Sequence, residues 1–426
     1  MKMWNKKFLA AAVALSAMTG QVYAAETAYT GGEADELMPT YSLGEVVVTA
    51  TRTKKKDIDV PAATTVITAE DIKQSGASNA ADVLSKVDGF VYKSFGPNGA
   101  AMGSMTNEVN VRGLKSGALI LMNGNPIAWR GKYNLDQIPA SEIERIEVVK
   151  GGVSVLYGSE AMSGVVNIIT KKKHSNEVHA GFGNYGQRSY GISVGDERFG
   201  FYYNYDKFGR RDGVSYTEYA QDKLRGQTRT DIYDILKQNM GVTYHVNPRL
   251  DFQIGYYETE GKYKRTITAV DNTHAPTRMQ RIPVGAPYNQ RKYETKQYIT
   301  QLNYRDTDWK GSLFFNTGTL EFIGPTYFHS KTGLKTPNGR YHSREKNTTY
   351  GIDLQRTWQV NPKATAILGM DLMREMFSDL PTPVSADNAR YSRNNWGIFG
   401  QWEQRFDKKN TGIFGLRETW TTGAAR

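Results

Sequence analysis

Leu250-Asp251-Phe252-Gln253-Ile254-Gly255-Tyr256 changes polarity at every residue. Successive side chains of a strand point to opposite faces, so Leu250, Phe252, Ile254 and Tyr256 share one face and Asp251, Gln253 and Gly255 the other. The same spelling recurs on both sides of this stretch. Val178, Ala180 and Phe182 oppose Glu177, His179 and Gly181; Phe199, Phe201, Tyr203 and Tyr205 oppose Gly200, Tyr202, Asn204 and Asp206. Downstream, Ala364, Ala366, Leu368, Met370 and Leu372 alternate with Thr365 and Asp371, and Trp396, Ile398 and Trp402 with Gln401, Glu403 and Arg405. One apolar and one polar face on strand after strand is what a transmembrane β-barrel requires, with lipid on one side and an aqueous lumen on the other. A β-sandwich is the alternative, but its strands are shorter and do not set aromatics so regularly at their ends.

Turn signals support the barrel. Asp196-Glu197, Asn247-Pro248, Asp306-Thr307-Asp308, Asn361-Pro362 and Lys408-Lys409-Asn410 mark short turns, with longer segments near 210–235, 260–291, 324–345 and 379–391 between them. Short turns belong to the periplasmic end of such barrels, so the longer segments are expected outside the cell. Composition agrees: Gly (42) and Tyr (26) are abundant and the hydrophobic share is 39%, which favours strands and tight turns over helical packing.

The chain opens with Lys2, Lys6 and Lys7, an apolar stretch from Phe8 to Ala17, and then Val22, Tyr23 and Ala24, with small residues at the cleavage-determining positions. That is the pattern of a secretory signal peptide over 1–24, cleaved after Ala24. No later run reaches the roughly 18 apolar residues of a membrane-spanning helix. With no cysteine, a disulfide framework and thiol chemistry are both excluded. The formal charge of +11 suits an anionic ligand or lipopolysaccharide, while export argues against nucleic acid.

Residues 25–57 read as a polar periplasmic tether. It contains an isolated β-prone segment, Glu45-Val46-Val47-Val48-Thr49-Ala50, ahead of the basic Arg52, Lys54, Lys55 and Lys56. An exposed strand of this kind can complete another protein's sheet. From 58 to 173 the pattern is that of a compact mixed domain. Thr68 and Asn79 are N-cap candidates for two short helices, with Gly89 closing the second. Short strands are expected at Val109–Val111, Ala118–Met122, Ile146–Val149 and Val165–Ile169, with Gly113, Gly124, Gly151, Gly158 and Gly164 supplying turns.

Within that domain stand Val109-Asn110-Val111-Arg112-Gly113 and Leu119-Ile120-Leu121-Met122-Asn123-Gly124-Asn125-Pro126. A longer stretch follows, from Ile143-Glu144-Arg145-Ile146-Glu147-Val148-Val149-Lys150-Gly151 through Leu156-Tyr157-Gly158-Ser159 to Gly164-Val165-Val166-Asn167-Ile168-Ile169. These closely resemble the plug motifs of the TonB-dependent outer-membrane receptor family, and Glu45 to Arg52 resembles its TonB box. Lys150 stands where the family often has Arg, and Gly152 where it often has Pro. The resemblance implies a mixed α/β plug domain (58–173) followed by an antiparallel transmembrane β-barrel (174–426), partial at about 11 of the 22 strands such transporters carry. The closing aromatic strand of the family is not recognisable at Thr421 to Arg426, so a truncated or split receptor is expected.

The resemblance also implies a ligand-gated importer in the cell outer membrane, in which TonB and its inner-membrane motor pull on Glu45 to Ala50. Basic and aromatic residues in the outer segments, among them Arg265, Arg278 and Arg281, suit an anionic, aromatic iron chelate such as a ferric siderophore. Plug residues Trp129, Arg130 and Tyr133 are expected to meet that ligand from below. Cobalamin, haem, a saccharide, or a receptor that binds without transporting are the alternatives. No cofactor, metal site or enzymatic activity is expected: the six histidines lack metal-ligand spacing, and no nucleophile and base arrangement is legible. Gly181-Phe182-Gly183-Asn184-Tyr185-Gly186 spells a dinucleotide fingerprint, but inside an alternating strand rather than before a helix.

Overall fold

The computed structural model describes residues 46–47, 55–56, 63–93, 108–111, 114–115, 118–127, 134–150, 154–158, 161, 163–219, 225–270, 284–325, 329–330, 333–334, 340–383, 389–407 and 410–425. The expected signal peptide lies outside them, as do Glu45, Val48, Thr49, Ala50, Trp129, Arg130, Tyr133, Arg278 and Arg281.

At the start, β1 (Val46–Val47) and β2 (Lys55–Lys56) form a two-residue antiparallel ladder. β3 (Ala63–Thr68) leads into α1 (Ala69–Ser75) and α2 (Ala80–Leu84). Thr68 caps α1 in a reciprocal box: its hydroxyl accepts from the Asp71 amide at 3.2 Å, and the Asp71 carboxylate accepts from the Thr68 amide at 2.9 Å. Asn79 caps α2 by accepting from the Asp82 amide. α2 closes earlier than expected, at Ser85, whose amide donates to Ala81. Gly89, at φ +76°, instead makes the bend that leads into β4 (Phe90–Lys93).

β5 (Glu108–Val111) and β6 (Leu114–Lys115) join β4 in a small sheet. β7 (Ala118–Met122), β8 (Asn125–Pro126), β9 (Ile143–Lys150) and β10 (Gly164–Thr170) build the main plug sheet in the order β3-β9-β10-β7-β8. β7 runs parallel to β10 and is buried on both faces, which explains its unbroken apolar spelling. Ala118, Ile120 and Met122 pack with Ile72, Val83 and Leu84 of the helices. Leu119 and Leu121 pack on the other side with Ala161 and Val165. Gly164 is required where it stands: at φ +145°, a Cβ would sit 2.3 Å from the Val149 carbonyl oxygen.

The remaining chain is an antiparallel wall. It comprises β11 (Glu177–Gly183), β12 (Gln187–Gly195), β13 (Phe199–Tyr219), β14 (Arg225–Asn247), β15 (Leu250–Val270), β16 (Pro287–Arg305) and β17 (Trp309–Pro325). A small hairpin of β18 (His329–Ser330) and β19 (Gly333–Leu334) precedes β20 (Arg340–Asn361), β21 (Ala364–Asp379), β22 (Arg390–Arg405) and β23 (Thr411–Ala425). Eleven strands pair in chain order from β11 to β23, with β18 and β19 standing apart.

From β13 onward the paired strands of the wall, β18 and β19 apart, are 15 to 23 residues long, well beyond the roughly 9–11 that span a bilayer. The segment 210–235 is therefore largely strand, and 260–291 is strand as far as Val270 and again from Pro287, because the hairpin ladder continues past the thickness that alternation alone reveals. The short turns are built as expected. Asp196, Asn247, Asp306, Asn361 and Asp407 each accept backbone amides two or three residues on, the Asx-turn geometry. Two of these carboxyls, both in solvent, are held below their usual range: Asp196 by the amides of Arg198 and Phe199, Asp306 by the Tyr304 hydroxyl and then the Trp309 amide.

Burial in the wall is inverted. Gln301 and Gln355 are 1% and 2% exposed, whereas Phe182 and Leu416 are 80% and 79% exposed. No helix among the described residues is long and apolar enough to cross a membrane, which says nothing of a strand-built span.

Candidate functional site

Among the described residues, plug and wall share no strand and belong to separate sheets. What joins them there is a set of side-chain contacts at four places. The first is the tip between β7 and β8, where Asn123 (φ +53°) and Gly124 (φ +89°) make the left-handed pair of a tight hairpin turn. The Asn123 amide group donates to Gln253 on β15 at 2.7 Å and to Thr170 at 2.9 Å. Gln301 on β16 donates to the Met122 carbonyl, Asn316 to the Pro126 carbonyl, and the Ser312 hydroxyl to Asn125.

The second place is the turn Leu135–Gln137, where Gln137 donates to Thr295 at 2.5 Å and Lys237 to the Asp136 carbonyl at 3.2 Å. At the third, Glu142 meets His174 at the start of the wall. The Glu142 carboxylate lies 3.2 Å from His174 Nε2 and accepts from Asn204 at 3.4 Å. The His174 ring stacks on Tyr202 with centroids 5.7 Å apart. It fits because Gly200 has no side chain: a Cβ there would stand 2.3 Å from His174 Nδ1. Lys172 adds a bridge to Asp251 at 3.0 Å.

The fourth place is α3 (Ser154–Tyr157), which docks on the last strands. Leu156 packs with Ile367 and Phe399. A Cβ at Gly415 would stand 2.6 Å from Val155. Arg417 passes over Gly397 to grip Asp371 in a bidentate pair at 2.7 and 2.8 Å.

Three of the four attachments are polar. Each such hydrogen bond contributes about 0.5–1.5 kcal/mol net, and Tyr257 and Ile299 of the wall add apolar contact by packing into the plug's core cluster. A small cavity of mixed polarity lies along the boundary, lined among others by Met122, Asn123, Glu142, His174, Gln253 and Ile299. His174 Nδ1, Gln253 Nε2 and Gln301 Oε1 are buried there without hydrogen-bond partners, the chemistry that ordered water satisfies.

The described ligand candidate, Arg265, sits on β15 rather than in a loop, opposite Thr230 on β14 and Asn289 on β16. It shares the inward face with Tyr263, whose ring lies 5.9 Å from its guanidinium. Below it Tyr263, Tyr293, Leu320 and Phe322 form an aromatic inner cluster with Phe208, Ile232 and Ile235. Other basic residues of this region are tied into the wall: Lys262 to Asp234 at 2.7 Å, Lys292 to Glu260 at 3.2 Å, and Arg291 to the Pro325 carbonyl and over the Tyr341 ring. Val46 and Val47 of the proposed coupling strand pair with Lys56 and Lys55. Sequence reasoning passed over Glu142, His174 and Gln301, whose partners lie 32 to 179 residues away.

Residues 56–165 match the family profile described as the TonB-dependent Receptor Plug Domain. A curated relative, the vitamin B12 transporter BtuB of Vibrio vulnificus (strain CMCP6), is 28% identical over 262 residues, covering 53% of this chain and 42% of the relative. Among solved structures, the ferripyoverdine receptor of Pseudomonas aeruginosa bound to ferripyoverdine matches with TM-score 0.58 at 14% identity, over 90% of this chain and 55% of that one. A mutant of the ferric enterobactin receptor PfeA, also from Pseudomonas aeruginosa, matches with TM-score 0.56 at 17% identity, over 86% and 59%. The chain thus spans about half the length of the proteins it matches.

Proposed function

Because the chain belongs to the TonB-dependent outer-membrane receptor family, we propose that it works in energy-coupled import across the outer membrane, with a ferric siderophore as cargo. The observation that carries this reading is the boundary just described: a plug with its own sheet, joined to the inner wall by scattered side-chain hydrogen bonds and an ion pair together with the apolar contacts of Tyr257 and Ile299. Coupling is assigned to Glu45 to Ala50, through strand addition to TonB. Val46 and Val47 have one ladder with Lys55 and Lys56, and a strand so paired keeps a second edge for a partner.

For the cargo, Arg265 over Tyr263 on the inward face supplies a cation beside an aromatic ring, suited to an anionic, ring-bearing chelate. Trp129, Arg130, Tyr133, Arg278 and Arg281 are proposed as further contacts. Siderophore receptors among the structural matches favour iron; the B12 transporter among the sequence relatives favours cobalamin as the second reading. Both readings are tested on the chain in detergent. A ferric catecholate should quench tryptophan fluorescence, with affinity falling as salt rises and falling again in Arg265→Gln. Tight, salt-insensitive binding of cobalamin in its place would reverse the assignment. Separately, Val46→Pro removes a ladder amide and should abolish capture of the TonB periplasmic domain; undiminished capture would move the coupling site elsewhere.

A further inference from the structure

On the outward face of β20, Arg356 stands between two indoles. Its guanidinium carbon lies 5.2 Å from the ring of Trp309 and 4.9 Å from that of Trp358. Trp309 is its register partner and the first residue of β17, next to the turn at Asp306–Asp308. The stagger of neighbouring strands thus brings Arg356 level with the short-turn rim. Around it the same face is apolar and exposed: Ile352, Leu354 and Leu368. The inward neighbour Gln355 points the other way and is buried.

No carboxylate among the described residues forms an ion pair with Arg356, and its Nε is buried without a hydrogen-bond partner. An arginine at the bilayer midplane costs about 2–4 kcal/mol and close to nothing at the interface, where indoles also concentrate. Held by two rings, this guanidinium has N–H donors that no carboxylate of the described residues occupies. A phosphate diester accepts a guanidinium fork through two oxygens. The Ile352, Leu354 and Leu368 side chains then offer a lipid tail an apolar track away from the turn.

We propose that Trp309, Arg356 and Trp358 form a headgroup site for an anionic glycerophospholipid in the leaflet that meets the short turns. The site rests on the reading of the outward face as lipid-facing. The apolar track distinguishes the lipid from free phosphate, which has nothing to place there.

The test uses the whole chain in detergent and in vesicles. By native mass spectrometry it should retain one phosphatidylglycerol, with at least tenfold weaker retention of phosphatidylcholine, and millimolar inorganic phosphate should not displace the lipid. Arg356→Gln should lose the preference at least tenfold, and Arg356→Lys should recover only part of it, because an ammonium cannot fork. Equal retention of phosphatidylglycerol by Arg356→Gln, or displacement by phosphate, overturns the site. A measurement on the unaltered chain guards against misfolded variants: brominated phosphatidylglycerol should quench tryptophan more than brominated phosphatidylcholine, the difference fading with salt. Equal quenching by both lipids refutes the headgroup site, whereas no quenching by either refutes the lipid-facing wall beneath it.

Discussion

Ile146 in the plug and Leu368 in the wall are both aliphatic strand residues, yet the first is 0% exposed and the second 53%. Around Ile146 the polar groups are turned away from a core of Val148, Ile168 and Ile120. Around Leu368 the order is reversed, with Gln355 and Gln401 hidden and Met370, Ile398 and Trp402 shown. The plug follows the rule of a water-soluble domain, in which apolar area is removed from solvent. The wall follows the rule of a protein whose outer solvent is hydrocarbon and whose interior is polar. Two opposite rules in one chain mean that the same substitution has opposite consequences in the two regions.

The largest effect is expected where the plug rule is broken. Ile146→Asp places an unpaired carboxylate in the apolar core, at a cost of several kcal/mol. Limited proteolysis of the folded chain should then cut between residues 63 and 170 while the wall stays resistant; an intact plug would show that its core is less tightly committed than its burial implies. Next comes Ile352→Arg, on the same outward face but further from the short-turn rim along β20 than Arg356, expected to cost about 2–4 kcal/mol when the chain is folded into vesicles. In a water-facing setting the same change would fall within about 0.5 kcal/mol. Urea titration in vesicles separates the two, and a negligible cost would remove the inversion argument at this strand.

A third change tests the plug sheet without altering polarity. Gly164→Ala forces a side chain into the positive-φ position against the Val149 carbonyl and should cost on the order of 1–3 kcal/mol. Circular dichroism melts of the whole chain would register it, and a wild-type melt would mean that β9 and β10 have room to separate.

The smallest effect is at Thr68. Thr68→Ala removes the cap of α1, worth about 1 kcal/mol. The Asp71 carboxyl is held below its usual value by the hydroxyl and then the amide of Thr68. A depressed carboxyl stabilises the fold above its unfolded value of 3.8, and that stabilisation fades as pH falls through the lower folded value. The exposed setting keeps the term small. Loss of the cap should flatten the acid limb of the stability curve below about pH 4; an unchanged limb would assign it to other carboxyls.

What the amino-acid order revealed, and what it hid, divides along the same line. Local devices were legible. Thr68 and Asn79 announce helix starts, Asp196, Asn247, Asp306 and Asn361 announce turns, and period-two polarity announces β11, β13, β15, β21 and β22, because each acts within a few residues of itself. The ends of elements were less so: α2 stops at Ser85 rather than Gly89, and β14 and β15 extend through segments that read as loops. In those extensions the ladder, not alternation, sustains the strand, so Arg265 became a wall residue. The candidate site was least legible. Glu142 with His174, Gln301 with Met122 and Arg417 with Asp371 are meetings between distant stretches, and no local pattern marks one glutamine among many as the one that will touch a plug carbonyl. Nor did Arg356 stand out, since its two tryptophans come from different strands.

Period-two polarity also has a consequence before the protein folds. A stretch such as Leu250 to Tyr256 never offers more than one greasy side chain in succession, so the unfolded polymer carries its lipid-seeking residues in diluted form. Spread in this way, they are invisible to machinery that sorts by continuous apolar length, which needs roughly 18 residues or more. A helical membrane protein of equal outer coverage would be retained at the first bilayer it met. The alternating wall lets the chain travel through one membrane as a passenger and become a resident of the next, where pairing of neighbouring strands gathers the scattered side chains onto a single surface.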